Sequence, residues 1–156
     1  MRELYLGLHN ITSSQKLIDF SKLAFNIKYI KYLVITKAGG TAAQSGIPEV
    51  NKIAFKLNKP FLVLPELKDA IELLQPDITL LISQYAEKPL DFLKLEKYKK
   101  IFVVFSGLEG SGFNKIEQSL GEHVKVLEEV PELGAVSLAS FFLCKYLTVV
   151  EGLTMF

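Results

Sequence analysis

Three stretches of the 156-residue chain have the residue types and spacing to build a ligand site. The first is Ser106-Gly107-Leu108-Glu109-Gly110-Ser111-Gly112, which follows the uncharged run Ile101–Phe105. Its glycines let the backbone approach a ligand closely and adopt positive φ. The order is G-x-x-G-x-G. It is not the dinucleotide pattern G-x-G-x-x-G, and no G-K-[ST] of a phosphate loop is present. Taken alone it also fits a tight strand-to-helix turn. The second stretch, Val130-Pro131-Glu132-Leu133-Gly134-Ala135-Val136-Ser137-Leu138, leads into an apolar helix. The third, Lys37 to Glu49, combines small residues with one Lys and one Gln, as a ligand-facing loop or a plain connection would. Among single residues, His9 follows the first apolar run and has the chemistry of a general base or of a hydrogen-bonded structural histidine. His123 reads as a surface residue in a turn. Glu66-Leu67-Lys68 has the E-x-K spacing in which a carboxylate binds a metal beside a lysine, although an acid there also suits a helix N-terminus. Lys94, Lys97, Lys99 and Lys100 read as a solvated charge run.

The elements that must position these residues follow from periodicity. Strands are predicted at Leu4–Leu8, Tyr29–Thr36, Phe61–Leu64, Ile78–Ile82, Ile101–Phe105 and Val124–Leu127. Helices are predicted after Ser13–Ser14, at Pro48–Leu57, Pro65–Leu74, Leu90–Leu95, Asn114–Leu120 and Ala135–Val150. Alternating strands and helices predict crossover units, hence an α/β fold with a mostly parallel sheet and helices on both faces. Ile101–Phe105 carries no charge and is expected at the centre. With no repeat or linker, residues 1–156 are expected to form a single domain. Ligands in such sheets bind at the carboxyl ends of the strands, where the three loops lie.

Composition narrows the function classes. Lys and Arg total 18 against 17 Asp and Glu, a net charge of +1, which argues against a strongly basic nucleic-acid clamp. The 49% hydrophobic content excludes a disordered chain, and one Cys excludes a disulfide framework. The start MRELYLGLHN does not resemble a signal peptide, and Lys145 interrupts the longest apolar stretch below membrane-spanning length, so a soluble cytoplasmic protein is expected. The last helix is apolar nearly all round, as expected of one packed both on its own sheet and on a partner subunit.

In this order the loops resemble the SpoU branch of the SPOUT RNA methyltransferases. Val103 through Asn114 is similar to that family's second motif, an apolar strand followed by G-x-E-G-x-G. Val130-Pro131 through Ser140 is similar to its third. Lys37 through Val50 is similar to the K-x-S-x-G-A segment, and Leu8-His9-Asn10-Ile11 with the helix ending Ala24-Phe25 to the first motif. The resemblance implies a C-terminal trefoil knot, a homodimer, S-adenosylmethionine (SAM) as cofactor and RNA, tRNA or rRNA, as substrate. It places Gly107, Leu108, Glu109, Gly110 and Gly112 on one cofactor loop and Val130, Leu133, Val136 and Leu138 on the other. Asn10, Lys37 and Ser137 become the candidate catalytic residues.

The chain departs from the pattern at one telling place. Phe20 stands where the family's first motif has its arginine, with Asp19 beside it, and the one arginine of the chain is Arg2. A guanidinium anchors phosphate with a fork that the nearby Lys16, Lys22 and Lys37 cannot reproduce. Two alternatives to an RNA methyltransferase therefore stand: a catalytically inactive SPOUT-fold binding or scaffold module, and, from Glu66-Leu67-Lys68, a metal-dependent RecB-like nuclease.

Overall fold

A computed structural model describes residues 2–108, 112–128 and 133–154. Seven strands form one sheet: β1 (Glu3–Ile11), β2 (Ile30–Ala38), β3 (Phe61–Leu64), β4 (Ile78–Ile82), β5 (Lys88–Pro89), β6 (Lys100–Ser106) and β7 (Glu122–Lys125). Their order is β3-β2-β1-β6-β4-β7-β5, and every pairing is parallel. The uncharged strand is central, as expected: β6 lies between β1 and β4 with Ile101 through Phe105 fully buried.

Strand alternation divides the core into two layers. Leu4, Leu6 and Leu8 of β1 and Ile101, Val103 and Phe105 of β6 face one side. There they meet α1 (Ser14–Phe25), α2 (Ile47–Leu57) and α5 (Ala135–Val149). Tyr5, Phe102 and Val104 face the other side, beneath α3 (Leu67–Leu74) and Phe113, which precedes α4 (Lys115–Gln118). The helices begin where side chains cap them. Ser13 Oγ accepts from the Lys16 N–H at 3.3 Å, and the carboxylate of Asp69 accepts from the N–H of Glu66, the N-cap of α3, at 3.0 Å. Leu17, Phe20, Ser21 and Ala24 then give α1 its buried face at helical spacing.

The structure revises several boundaries. A 3-10 helix occupies Phe92–Lys97, two residues later than predicted, because Asp91 caps it through the Leu93 N–H at 3.1 Å. The loop after β2 contains a π-helical turn at Ala42–Gly46. The last long strand is Glu122–Lys125, two residues earlier than expected, because only Val124 of this run needs full burial, opposite Ile82. His123 therefore lies in a strand and not in a surface turn. The C-terminal threading implied by the resemblance runs through segments that include 109–111 and 129–132, outside the described residues. No helix among the described residues is long and apolar enough to cross a membrane.

Arg2 fastens the two ends of the described chain together. Its Nε donates to the Tyr98 carbonyl at 3.3 Å and its Nη2 to the Glu96 carbonyl at 2.8 Å. Nη1 meets the Glu151 carboxylate at 3.3 Å, and Glu151 also accepts from the Tyr146 hydroxyl at 2.8 Å. One planar fork thus joins the start of β1, the end of the 3-10 helix and the segment after α5. Arg2→Lys keeps the charge and loses the fork. It is expected to cost about 1–2 kcal/mol, from hydrogen bonds of about 1 kcal/mol each in net worth. A thermal melt showing no loss relative to the parent would contradict this.

A candidate cofactor cavity at the carboxyl ends of the central strands

The chain runs outward from β1 through β2 to β3, then crosses to the other half of the sheet. The carboxyl ends of β1 and β6 therefore bound the switch point of the topology, where open α/β sheets bind ligands. A cavity of about 200 Å³ lies there. Leu8 and Ile11 of β1 form its apolar side, and Lys16 and Asp19 of α1 its charged side. Gly107 and the start of α5, Gly134 through Ser137, close it. This volume is below the ~300–1,000 Å³ of most small-molecule pockets and suits one end of an elongated ligand.

Two backbone features shape the cavity. Gly107 donates its N–H to the His9 carbonyl at 2.7 Å, so the loop after β6 extends the sheet beside β1. A Cβ at this position would lie 2.9 Å from Ile11 Cδ1 and 3.1 Å from the Asn10 carbonyl oxygen, so only glycine allows the approach. At the facing wall, α5 starts at Gly134 with no side chain capping it. The helix's first N–H groups lack intrahelical partners and concentrate partial positive charge, which suits a carboxylate. An apolar wall, a glycine shelf and an uncapped helix start suit a ligand with an apolar part and a carboxylate.

The sequence-predicted site residues divide. Gly107, Val136 and Ser137 come together on the cavity. Leu108 is exposed, Leu133 packs on the main core and Leu138 is buried within it. Gly112 (φ 63°) packs against Ser83 and Tyr85 instead of lining the cavity. Glu109, Gly110 and Val130 lie outside the described residues. Asn10 and Lys37 do not line the cavity. They lie opposite each other near the ends of β1 and β2, between the pairs His9↔Thr36 and Ile11↔Ala38. Both are left-handed, at φ 64° and 52°. Asn tolerates that conformation, whereas for a lysine it is costly. Strain of this kind concentrates at functional sites.

His9 is a structural histidine in this arrangement. It is fully buried, with Nδ1 2.7 Å from Thr36 Oγ1 and Nε2 2.6 Å from Glu117 Oε2. Glu117 is fixed in turn by a capping box: its Oε1 accepts from the Asn114 N–H at 3.0 Å, and Asn114 Oδ1 accepts from the Glu117 N–H at 2.8 Å. Burial pushes the Glu117 carboxyl up, but the Asn114 amide, His9 and the Lys37 charge together hold it below its ordinary value. Sequence reasoning passed over Glu117. The signal was the spacing Asn114-x-x-Glu117, a helix-capping pattern. Phe20, at the family's arginine position, is a fully buried core residue 6.0 Å from the Phe105 ring. A charged fork cannot occupy that place, and Lys16 and Asp19 supply the cavity's charge instead.

The nuclease pattern finds no support in the geometry of Glu66, which serves as the N-cap of α3. Among the described residues no three His, Cys, Asp or Glu side chains converge as a metal site requires.

Comparison with known proteins gives two kinds of likeness. A family model described as RecB-family nuclease (DUF2122) matches residues 40–145. A Methanocaldococcus jannaschii protein named "Putative type II restriction enzyme" is 37% identical over 145 residues, 92% of this chain and 95% of its own. A like-named protein of Aeropyrum pernix is 43% identical over 104 residues, 65% of this chain and 66% of its own. Solved structures share the fold at low identity. The SpoU methyltransferase AviRb of Streptomyces viridochromogenes, in complex with its cofactor AdoMet, superposes with a TM-score of 0.66 at 13% identity. The match covers 97% of this chain and 62% of that one. A structure described for 2-OH methylation of C/U34 on tRNA gives 0.70 at 14% identity, over 94% of this chain and 97% of that one. The fold is thus that of the SpoU-like SPOUT methyltransferases.

Proposed function

The chain belongs to the family described as RecB-family nuclease (DUF2122), and because its fold is that of the SpoU methyltransferases we propose that it binds SAM and transfers a methyl group to RNA, tRNA or rRNA. The observation that carries this reading is the cavity at the β1–β6 switch point, with its glycine shelf and uncapped helix start. SAM, when bound, supplies an electrophilic methyl group. Leu8, Ile11 and Val136 would exclude water from it, and the N–H groups at the start of α5 would hold its carboxylate. Lys16 and Asp19 face the same space, one to attract phosphate and the other to take a proton. Asn10, Lys37 and Ser137 border this end of the sheet as further candidates for orienting the substrate. The expected setting is the cytoplasm, where RNA substrates are at hand.

The nuclease reading is favoured by the family's description and the relatives' names. One experiment separates the two. SAM and its demethylated product are titrated calorimetrically, and the protein is then given labelled SAM with total RNA, or Mg²⁺ with DNA and RNA. SAM binding with label transfer supports methylation. Cleavage without SAM binding overturns it in favour of the nuclease. SAM binding with neither transfer nor cleavage points to a binding module.

We also propose a homodimer through α5. Phe141 is 50% exposed on its outer face, beside an apolar groove of about 320 Å³ formed by Leu23, Ile27, Leu143 and Leu147. Phe141→Glu is expected to convert a dimer to a monomer in analytical ultracentrifugation. Sedimentation of the parent as a monomer would reject the dimer.

A further inference from the structure

Both described ends of the loop after β6 converge on one residue, His9. At its start Gly107, the shelf of the cofactor cavity, donates its N–H to the His9 carbonyl at 2.7 Å. At its end Phe113 is buried and stacks on the His9 ring at 6.2 Å. The next residue, Asn114, donates its N–H to one carboxylate oxygen of Glu117, whose other oxygen lies 2.6 Å from His9 Nε2. A hydroxyl closes the neck between the two ends. Ser106 Oγ accepts from the Leu108 N–H at 3.3 Å and gives its one proton to the Gly112 carbonyl at 3.2 Å, nearer than the Leu108 carbonyl at 3.4 Å. Gly112 is itself wedged, since a Cβ there would fall 2.9 Å from Ser83 Oγ.

These groups are not arranged for chemistry of their own. Ser106 pairs with His9 across the β1–β6 ladder, but both ring nitrogens of His9 are engaged, one by Thr36 and one by Glu117, so His9 offers no free base for the Ser106 proton. His9 and Glu117 are buried, and neither they nor Ser106 line the cavity. What the circuit fixes is the place of Gly107. A cavity of about 200 Å³ tolerates little movement of its shelf. A wall held in place before the ligand arrives also removes the cost of ordering it on binding.

We infer that Ser106 and Glu117 are positioning residues for the cofactor. Ser106 acts through Gly112 and Glu117 through His9 and Asn114, and together they hold the Gly107 shelf in the geometry that binds SAM. The inference rests on the methyl-transfer reading of the same cavity, and it adds to that site two residues that do not line it.

The test is calorimetric titration with SAM, and label transfer from SAM to RNA, on the parent and four variants, well below their melting temperatures. Ser106→Ala leaves the buried His9–Glu117 pair intact and is expected to weaken SAM by about fivefold, the worth of one net hydrogen bond. Glu117→Ala is expected to weaken it by about tenfold or more, since a bond to a charged group is lost. Glu117→Gln should restore it, because the amide oxygen still accepts from the Asn114 N–H and the NH₂ group can donate to His9 Nε2. The two alanine variants should raise KM for SAM and leave kcat at saturating SAM unchanged. Arg2→Lys loosens the fold at the other end of β1 and should leave SAM affinity as it is. Parent-like affinity in Ser106→Ala or in Glu117→Ala, no recovery in Glu117→Gln, or an equal loss in Arg2→Lys would overturn the inference. Should Glu117→Ala fail to fold, Ser106→Ala decides alone. A parent that binds no SAM removes the methyl-transfer reading and this inference with it. A parent that binds SAM no more tightly than Ser106→Ala removes this inference alone.

Discussion

His9→Leu is expected to lower the unfolding free energy by about 3 kcal/mol, the lower end of the cost of leaving a buried carboxylate without one of its hydrogen-bond partners. Leucine fills much of the same volume but leaves Glu117 Oε2 and the Thr36 hydroxyl without their 2.6 Å and 2.7 Å partners. Glu117 keeps its Asn114 amide, which holds the cost at that lower end. For a chain of this size the loss corresponds to a fall in Tm of roughly 6–12 °C. Urea melts of the purified variant check it, and a loss under about 1 kcal/mol would mean that the network is ornamental. The same network predicts a pH dependence. The Glu117 carboxyl is held below its ordinary value of 4.5 in the folded protein, so its ionised form favours folding. That contribution is complete above the unfolded value and is lost as pH falls through the folded one. The stability gap between the parent and Glu117→Gln should therefore be widest near neutral pH and narrow below about pH 4.5. A gap that stays constant or widens on acidification would contradict the assignment.

Gly107→Val is expected to weaken SAM binding by roughly tenfold or more, about 1.4 kcal/mol. The first carbon of the new side chain already falls 2.9 Å from Ile11 Cδ1 and 3.1 Å from the Asn10 carbonyl, so the loop must lift off β1. Lifting it moves the shelf of the cavity and breaks the 2.7 Å bond to the His9 carbonyl. Overpacking should also cost about 1–3 kcal/mol of stability. Gly39→Ala is the control, since its added carbon would meet nothing within 4 Å, and it should leave both quantities unchanged. Calorimetric titration of the two variants beside the parent decides the matter. Unchanged affinity in Gly107→Val would place the cofactor elsewhere.

The sheet was legible because its strands are apolar runs that only a doubly covered parallel sheet can bury, and Ile101–Phe105 declared itself central by carrying no charge. Gly107, Val136 and Ser137 were legible for a different reason: the resemblance to the SpoU motifs puts them on the two loops that the structure brings to one cavity. The order of motifs also revealed the methyltransferase-like fold, although fewer than one residue in five is identical to the solved relatives. Other features were not readable. His123 passed for a surface residue because a polar side chain before a short strand gives no sign of which face it joins. Glu117 shows in the sequence only as the capping spacing Asn114-x-x-Glu117; that its carboxylate also reaches His9, 108 positions away, is not in that spacing. Asn10 and Lys37 are candidates through their place in the family's motifs, whereas the structure distinguishes them by their backbones, which no residue-type pattern encodes.

The clasp at Arg2 joins residues that lie 149 positions apart in the chain. Fraying normally begins independently at each end of a polypeptide. Here neither β1 nor the segment after α5 can peel away without breaking the same guanidinium contacts. The first strand and the last helix therefore share one opening event, and amide exchange at Glu3 and Val150 should report a common free energy for that motion.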